Sequence, residues 1–164
     1  MCTGQDSPSP TPNTGIITAF ANRLLQGEAP EVYEDGLMTR DFVHVSDVVR
    51  ALVRAGAEGS PERGIYNIGS GCAITVLSLA ERMCALMAPG VSPQISGRAR
   101  IGDVRHCTAR TTLAASDLGF RAQVSLDAGL SAAKAGVINP VEVVASTMHK
   151  KLVFFIIAPH EVLI

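Results

Sequence analysis

What most constrains the fold of this chain is a hydrophobic period that changes repeatedly along residues 14–133: short β-branched or alternating runs give way to segments whose apolar residues return every three or four positions. Side chains alternate faces along a strand and return to one face every 3.6 residues on a helix, so the two periods mark two kinds of element. GIITAFANRLLQG places Ile16, Ile17, Phe20, Leu24 and Leu25 on one helical face and ends at Gly27. Glu31–Glu34 alternates and runs into the turn dipeptide Asp35-Gly36, and Asp41–Val45 reads as a strand. Ser46 is the expected N-cap of the helix VVRALVRAGAEG, with Asp47 in the first turn, where a negative charge suits the helix dipole. GIYNI, Gly64–Ile68, is a second strand, and it ends in the loop Gly69-Ser70-Gly71. Thr75 then caps VLSLAERMCALM, whose Leu77, Ala80, Met83, Cys84 and Met87 share a face. A short strand at Ser92–Ser96, an aperiodic basic loop at Gly97–Cys107 and two short helices around 112–118 and 125–133 complete the pattern. The alternation predicts an α/β layer rather than an all-β fold.

The ends read differently. Residues 1–13 are rich in Pro, Ser and Thr and read as an irregular lead-in; residues 14–135 form the folded domain; 136–164 is a β-branched, atypical tail. Within it, Leu152–Ile157 is uncharged and free of proline, which fits either a buried strand or a tail foreign to the fold, aggregation-prone if exposed. The 164 residues suffice for one domain with a real core, and 47% hydrophobic with 18% charged residues excludes a disordered chain. A net charge of -1 argues against a nucleic-acid surface. The apolar run LVFFIIA is far short of the roughly 20 residues that span a bilayer. Met1–Asn13 has neither the positive end nor the apolar run of a secretory signal. Cys2, Cys72, Cys84 and Cys107 show no metal or CxxC spacing, so reduced thiols and a cytoplasmic location are expected.

Polar groups concentrate in DGLMTRDFVHVSDV, Asp35–Val48. No GxSxG, HExxH or P-loop occurs, neither Tyr33 nor Tyr66 has a lysine four residues on, and no histidine spacing suggests a ligand set, so no catalytic residue is assigned. NIGSG, Asn67–Gly71, follows a strand but lacks the third glycine of a dinucleotide turn and reads as a tight turn. Two clusters suit anions: Arg40, and the loop carrying Arg98, Arg100 and Arg105 with Asp103. A guanidinium binds phosphate oxygens bidentately, so two such loops could clamp a diphosphate; solvated loop charges are the other reading of the same spacing.

TGIITAFANRLLQGEAPEVYEDGLMTRDFVHVSDVVRAL, YNIGSG, RIGDVRH and DLGF with VSLDAGL occur in the order and spacing of one family. Over roughly Asn13 to Leu130 the chain resembles the C-terminal half of NAD-dependent nucleotide-sugar epimerases and dehydratases. These are extended short-chain dehydrogenases of the UDP-glucose 4-epimerase and dTDP-L-rhamnose 4-epimerase type. The resemblance implies the small α/β substrate-binding domain of such an enzyme, with the Rossmann half absent. It also implies that Arg40 and Arg100 contact the substrate diphosphate from two sides, that Asp103 reaches the ribose, that Tyr33 lines the base pocket, and that Asn13 lies where the chain folds over the nucleotide. Asp41, His44 and Asp47 are expected to hold the turn, strand and cap. The implied ligand is a UDP- or dTDP-sugar; the implied activity is epimerisation through transient hydride transfer to NAD, which belongs to the full-length family and is not expected to bind this chain alone. Neither a nucleic acid nor a membrane is an expected partner, and a homodimer stays open.

The departures matter as much. GxxGxxG and YxxxK do not occur in the sequence, Arg110 stands where the family usually has an aspartate after CTA, and the tail replaces the usual terminal helix. The chain alone is therefore expected to be inactive, and a non-catalytic remnant or partner-binding module is the alternative reading.

Overall fold

A computed structural model describes residues 15–61, 64–135, 153–157 and 162–163. In chain order these form α1 (Ile16–Leu25), β1 (Glu31–Val32), β2 (Thr39–Arg40), β3 (Val43–His44), α2 (Val45–Gly56), β4 (Gly64–Ile68), β5 (Ile74–Thr75), α3 (Val76–Met87), β6 (Gln94–Ile95), α4 (Thr112–Asp117), α5 (Leu126–Lys134), β7 (Val153–Ile157) and β8 (Val162–Leu163). The mixture of helices and short strands is the α/β class that the alternating periods predict. Among the described residues the strands pair two by two: β1–β6, β3–β8 and β4–β7 parallel, β2–β5 antiparallel. Of the tail, Val153–Ile157 runs parallel to Gly64–Ile68 in a five-residue register, so it is a strand joined to the domain. Asn13, the irregular lead-in and the rest of the tail lie outside the described residues.

Two apolar clusters hold the elements. In the first, Leu79, Ala80, Met83 and Cys84 of α3 pack with Phe20 and Leu24 of α1, Val32, Met38 and Phe42. In the second, Val48, Ala51 and Ala55 of α2 pack with Tyr66 and Ile68 of β4, Ala114 of α4, Leu118 and Phe120. The clusters follow the helical stripes read from the sequence, with corrections in α3 and α1. In α3 Val76 and Leu79 are fully buried, while Leu77 and Met87, read on the buried face, are only partly buried. Leu25 is 76% exposed, because the buried stripe runs through Phe20 and Leu24, four residues apart, and Leu25 lies one residue past its edge. Gly27 closes α1 as expected: at φ +77° its N–H donates to the Leu24 carbonyl. Thr75 caps α3 as expected, its Oγ1 accepting from Ser78 N at 3.1 Å.

The stretch 41–46 departs from its reading. The expected strand Asp41–Val45 is only Val43–His44, and α2 begins at Val45 rather than after Ser46. His44 is the N-cap: its extended backbone (φ -74°, ψ 141°) directs Nδ1 to accept from Ser46 N at 3.2 Å. Ser46 instead sets its hydroxyl 2.8 Å from the same ring nitrogen. An imidazole acceptor thus does what a hydroxyl was expected to do.

Candidate functional site

Two segments remote in sequence build the site. The first is the turn after β1. Gly36 N donates to Tyr33 O, Asp35 Oδ1 accepts from Leu37 N at 2.9 Å, and Glu34 takes φ +52°. Gly36 is required there: it sits at φ +75°, and a Cβ would come within 2.9 Å of Leu77 Cβ. The second segment is the loop 97–107, which leaves β6 and is fastened at both ends. At its start Glu34 N donates to Arg98 O at 2.8 Å. At its end Thr39 N donates to Arg105 O at 2.8 Å, Cys107 N donates to Thr39 O at 3.1 Å, and Thr39 Oγ1 lies 3.0 Å from His106 Nδ1. Between these fastenings Arg100 lies over Tyr33 and Asp103 meets Arg40.

Charges cross the gap. The Arg100 guanidinium lies 5.1 Å and that of Arg98 5.5 Å from the Tyr33 ring centroid, within cation–π range. Arg40 donates from Nη1 to its neighbour's carbonyl, Thr39 O, and from Nη2 to Asp103 Oδ1 at 2.7 Å. The Arg40 side chain is 11% exposed and that of Asp103 28%. Arg98 pairs with Glu31 at 3.3 Å, and Arg105 with Glu34 at 2.8 Å and Asp35 at 2.5 Å. Of these four arginines, Arg100 alone has no carboxylate partner among the described residues. The loop read as basic is thus largely neutralised by acids more than sixty residues away.

Hydrogen bonding from Arg105 holds the Asp35 carboxyl below the usual carboxylate range, and Asp35 in turn pushes Arg105 further up. Because the folded value of Asp35 is lowered, the stabilisation from this pair is present above the ordinary carboxylate range and is lost as pH falls through the folded value. Arg105 stays charged throughout and adds no pH dependence there. In an NMR titration of carboxyl resonances, Arg105→Ala is expected to move the Asp35 midpoint up toward its ordinary value; an unmoved midpoint would disconnect the pair.

Next to Arg40 in sequence, Asp41 is 4% exposed and organises the turn weighed from the sequence as a possible cofactor loop. Its Oδ1 accepts from Ser70 N at 2.8 Å and Ser70 Oγ at 2.6 Å, and its Oδ2 from Gly71 N at 2.9 Å and Ala109 N at 3.0 Å. A Cβ on Gly69 would lie 2.7 Å from Asp41 Oδ2 and 2.5 Å from Ala109 Cβ. The N–H groups that a dinucleotide diphosphate would need at this turn already donate to a carboxylate, which would also repel it. Among the described residues, NIGSG therefore does not fit NAD. Near the substituted position, Arg110 O accepts from Asn67 Nδ2 at 3.5 Å, so the backbone there is held on both sides of Ala109.

Asp47 is fully buried, accepting from Gln123 N and Val124 N at 3.1 Å each and pairing with Arg50. It and Asp41 hold the scaffold. His44 Nε2 is buried and has no partner among the described residues. Among those residues no group of three His, Cys, Asp or Glu is placed to hold a metal ion, and Cys72, Cys84 and Cys107 are free. No described helix is long and apolar enough to cross a membrane.

Of the residues singled out from the sequence, Tyr33, Arg40, Arg100 and Asp103 come together, and Asn13 lies outside the described residues. What the sequence reading missed is the framework around them: Arg98 on Tyr33, Arg105 on Glu34 and Asp35, and Thr39 beside His106. Glycines among arginines in residues 97–105 mark a cationic loop, but partners 67 to 71 residues away leave no trace in spacing.

Residues 3–69 match the model of the NAD dependent epimerase/dehydratase family. The dTDP-L-rhamnose 4-epimerase of Burkholderia thailandensis is 36% identical over 117 residues, 71% of this chain. The UDP-glucose 4-epimerase of Thermotoga maritima, solved with UDP-glucose, superposes with a TM-score of 0.65 at 33% identity over 75% of this chain. MoeE5, solved with UDP-glucuronic acid and NAD, superposes with a TM-score of 0.62 at 40% identity over 76%. The chain spans 32% of the length of the first of these and 39% and 41% of the two structures.

Proposed function

Since this chain belongs to the NAD-dependent epimerase/dehydratase family, we propose that its clamp binds a nucleotide-sugar and serves as the substrate-positioning part of such an enzyme. Arg40 and Arg100 contact the diphosphate, Asp103 accepts from the ribose hydroxyls, and Tyr33 lines the base. The observation that carries this reading is the approach of Arg100, which has no carboxylate partner among the described residues, to Tyr33 at 5.1 Å, together with the Arg40–Asp103 pair at 2.7 Å. An aromatic face, two forked cations and a carboxylate are the groups that a base, a diphosphate and a sugar diol require. Proteins of the family solved with UDP-glucose or UDP-glucuronic acid support the ligand class. The role proposed for these residues is to position the substrate.

Calorimetry with UDP-glucose and dTDP-glucose tests this. The wild-type chain is expected to bind at least one of them. Arg40→Ala and Arg100→Ala are each expected to weaken binding at least about tenfold, the scale of a hydrogen bond to a charged group. Wild-type protein that melts cooperatively yet binds neither would end the proposal. Non-cooperative melting with no binding would mean that the clamp is not assembled by this chain in solution.

A further inference from the structure

The Arg40–Asp103 pair is more than two ligand contacts standing side by side, because each holds the other while the clamp is empty. Arg40 is nine-tenths buried, with one nitrogen on Thr39 O and another on Asp103 Oδ1. Asp103 follows Gly102, which sits at φ +84°, and its N–H donates to Arg100 O, so the carboxylate is set by a tight turn that also carries Arg100. An anion approaching Arg40 therefore meets a negative charge already 2.7 Å from the guanidinium. A bare phosphate or pyrophosphate gains the cation at the cost of repulsion from Asp103. A ligand that also carries a vicinal diol donates hydrogen bonds to that carboxylate, and the same charge then attracts it. Arg100 has no carboxylate partner among the described residues and is equally open to both kinds of anion.

Resting on the nucleotide-sugar reading above, we propose that Asp103 is a selectivity residue: paired with Arg40 in the empty clamp, it rejects anions that bring no hydroxyl donors and so favours nucleoside diphosphates over free phosphate and pyrophosphate. Its role is exclusion as well as contact. Removing its charge thus strengthens the binding of the wrong ligand, an effect that loss of a contact or of local structure would not produce.

The test is calorimetry of the full 164-residue chain with UDP and with pyrophosphate, at fixed ionic strength and pH 7.5, for wild type, Asp103→Asn and Asp103→Ser, each with a melting curve. Asp103→Asn is expected to bind pyrophosphate several-fold more tightly than wild type. The ratio of UDP to pyrophosphate affinity is expected to fall by about tenfold, the scale of one hydrogen bond to a charged group. Asp103→Ser, which also lacks the charge, should move the ratio the same way and stands in if the Asn variant folds poorly. Pyrophosphate binding that is unchanged, weaker or undetectable in both variants, with UDP still bound by wild type, overturns the selectivity role alone. If wild type binds no UDP, the nucleotide reading falls and this proposal falls with it.

Discussion

Asp41→Ala is expected to lower the unfolding free energy by about 3–5 kcal/mol, the largest effect of any single substitution in the clamp region. The carboxylate lies in the interior and accepts from Ser70 N, Ser70 Oγ, Gly71 N and Ala109 N. Truncation leaves these donors facing a void that the backbone cannot close, since Gly69 and Ala109 are already in contact there. Asp41→Asn should recover little. Each carboxylate oxygen faces two donors, so either orientation of the amide turns its NH2 against an N–H. Urea denaturation of wild type and both variants measures this. A loss under about 1 kcal/mol for Ala would mean that water replaces the carboxylate. Because Asp41 is next to Arg40, the Ala variant should also weaken UDP-sugar binding, whereas Ser70→Ala, which removes only the hydroxyl, should leave binding near wild type.

The second large effect is expected at Asp47. Asp47→Ala removes the acceptor for Gln123 N and Val124 N and the partner of Arg50, at a cost of about 2–4 kcal/mol. Here the damage has an address. Residues 121–124 join Phe120, a member of the second core cluster, to α5, so amide exchange should accelerate first at Gln123 and Val124. Protection retained at those two amides would show that the segment is held by packing alone. Asp47→Asn keeps one acceptor for the two N–H groups and should cost about half as much.

These two aspartates show where reading from sequence succeeds and where it stops. Both were expected to serve the scaffold rather than a ligand, and they do. The local signals are a strand for Asp41 and a helix dipole for Asp47, while the partners are Ser70, Gly71 and Ala109 for one and Gln123 and Val124 for the other. The helices were legible because their apolar stripes and the Thr75 cap are set within a few residues. The strand at 41–45 was overdrawn because its β-branched residues say nothing about a side chain that leaves the strand to bind a distant turn. β5 was invisible for a related reason: Ile74–Thr75 is a strand only because Thr39–Arg40 lies against it.

The sequence by itself determined the α/β class, the positions of the helices and the family, because periodicity and motif order are properties of the chain itself. The tertiary structure decided which charges meet. Arg40 with Asp103, Arg105 with Glu34 and Asp35, and two arginines over Tyr33 are contacts between segments more than sixty residues apart. Such pairs are fixed by how β1 and β6 align side by side, and loop charges that no local rule restrains take whatever partner that alignment brings within reach. That is why a loop that reads as free cations is largely neutralised, with Arg100 its one arginine lacking a carboxylate partner among the described residues.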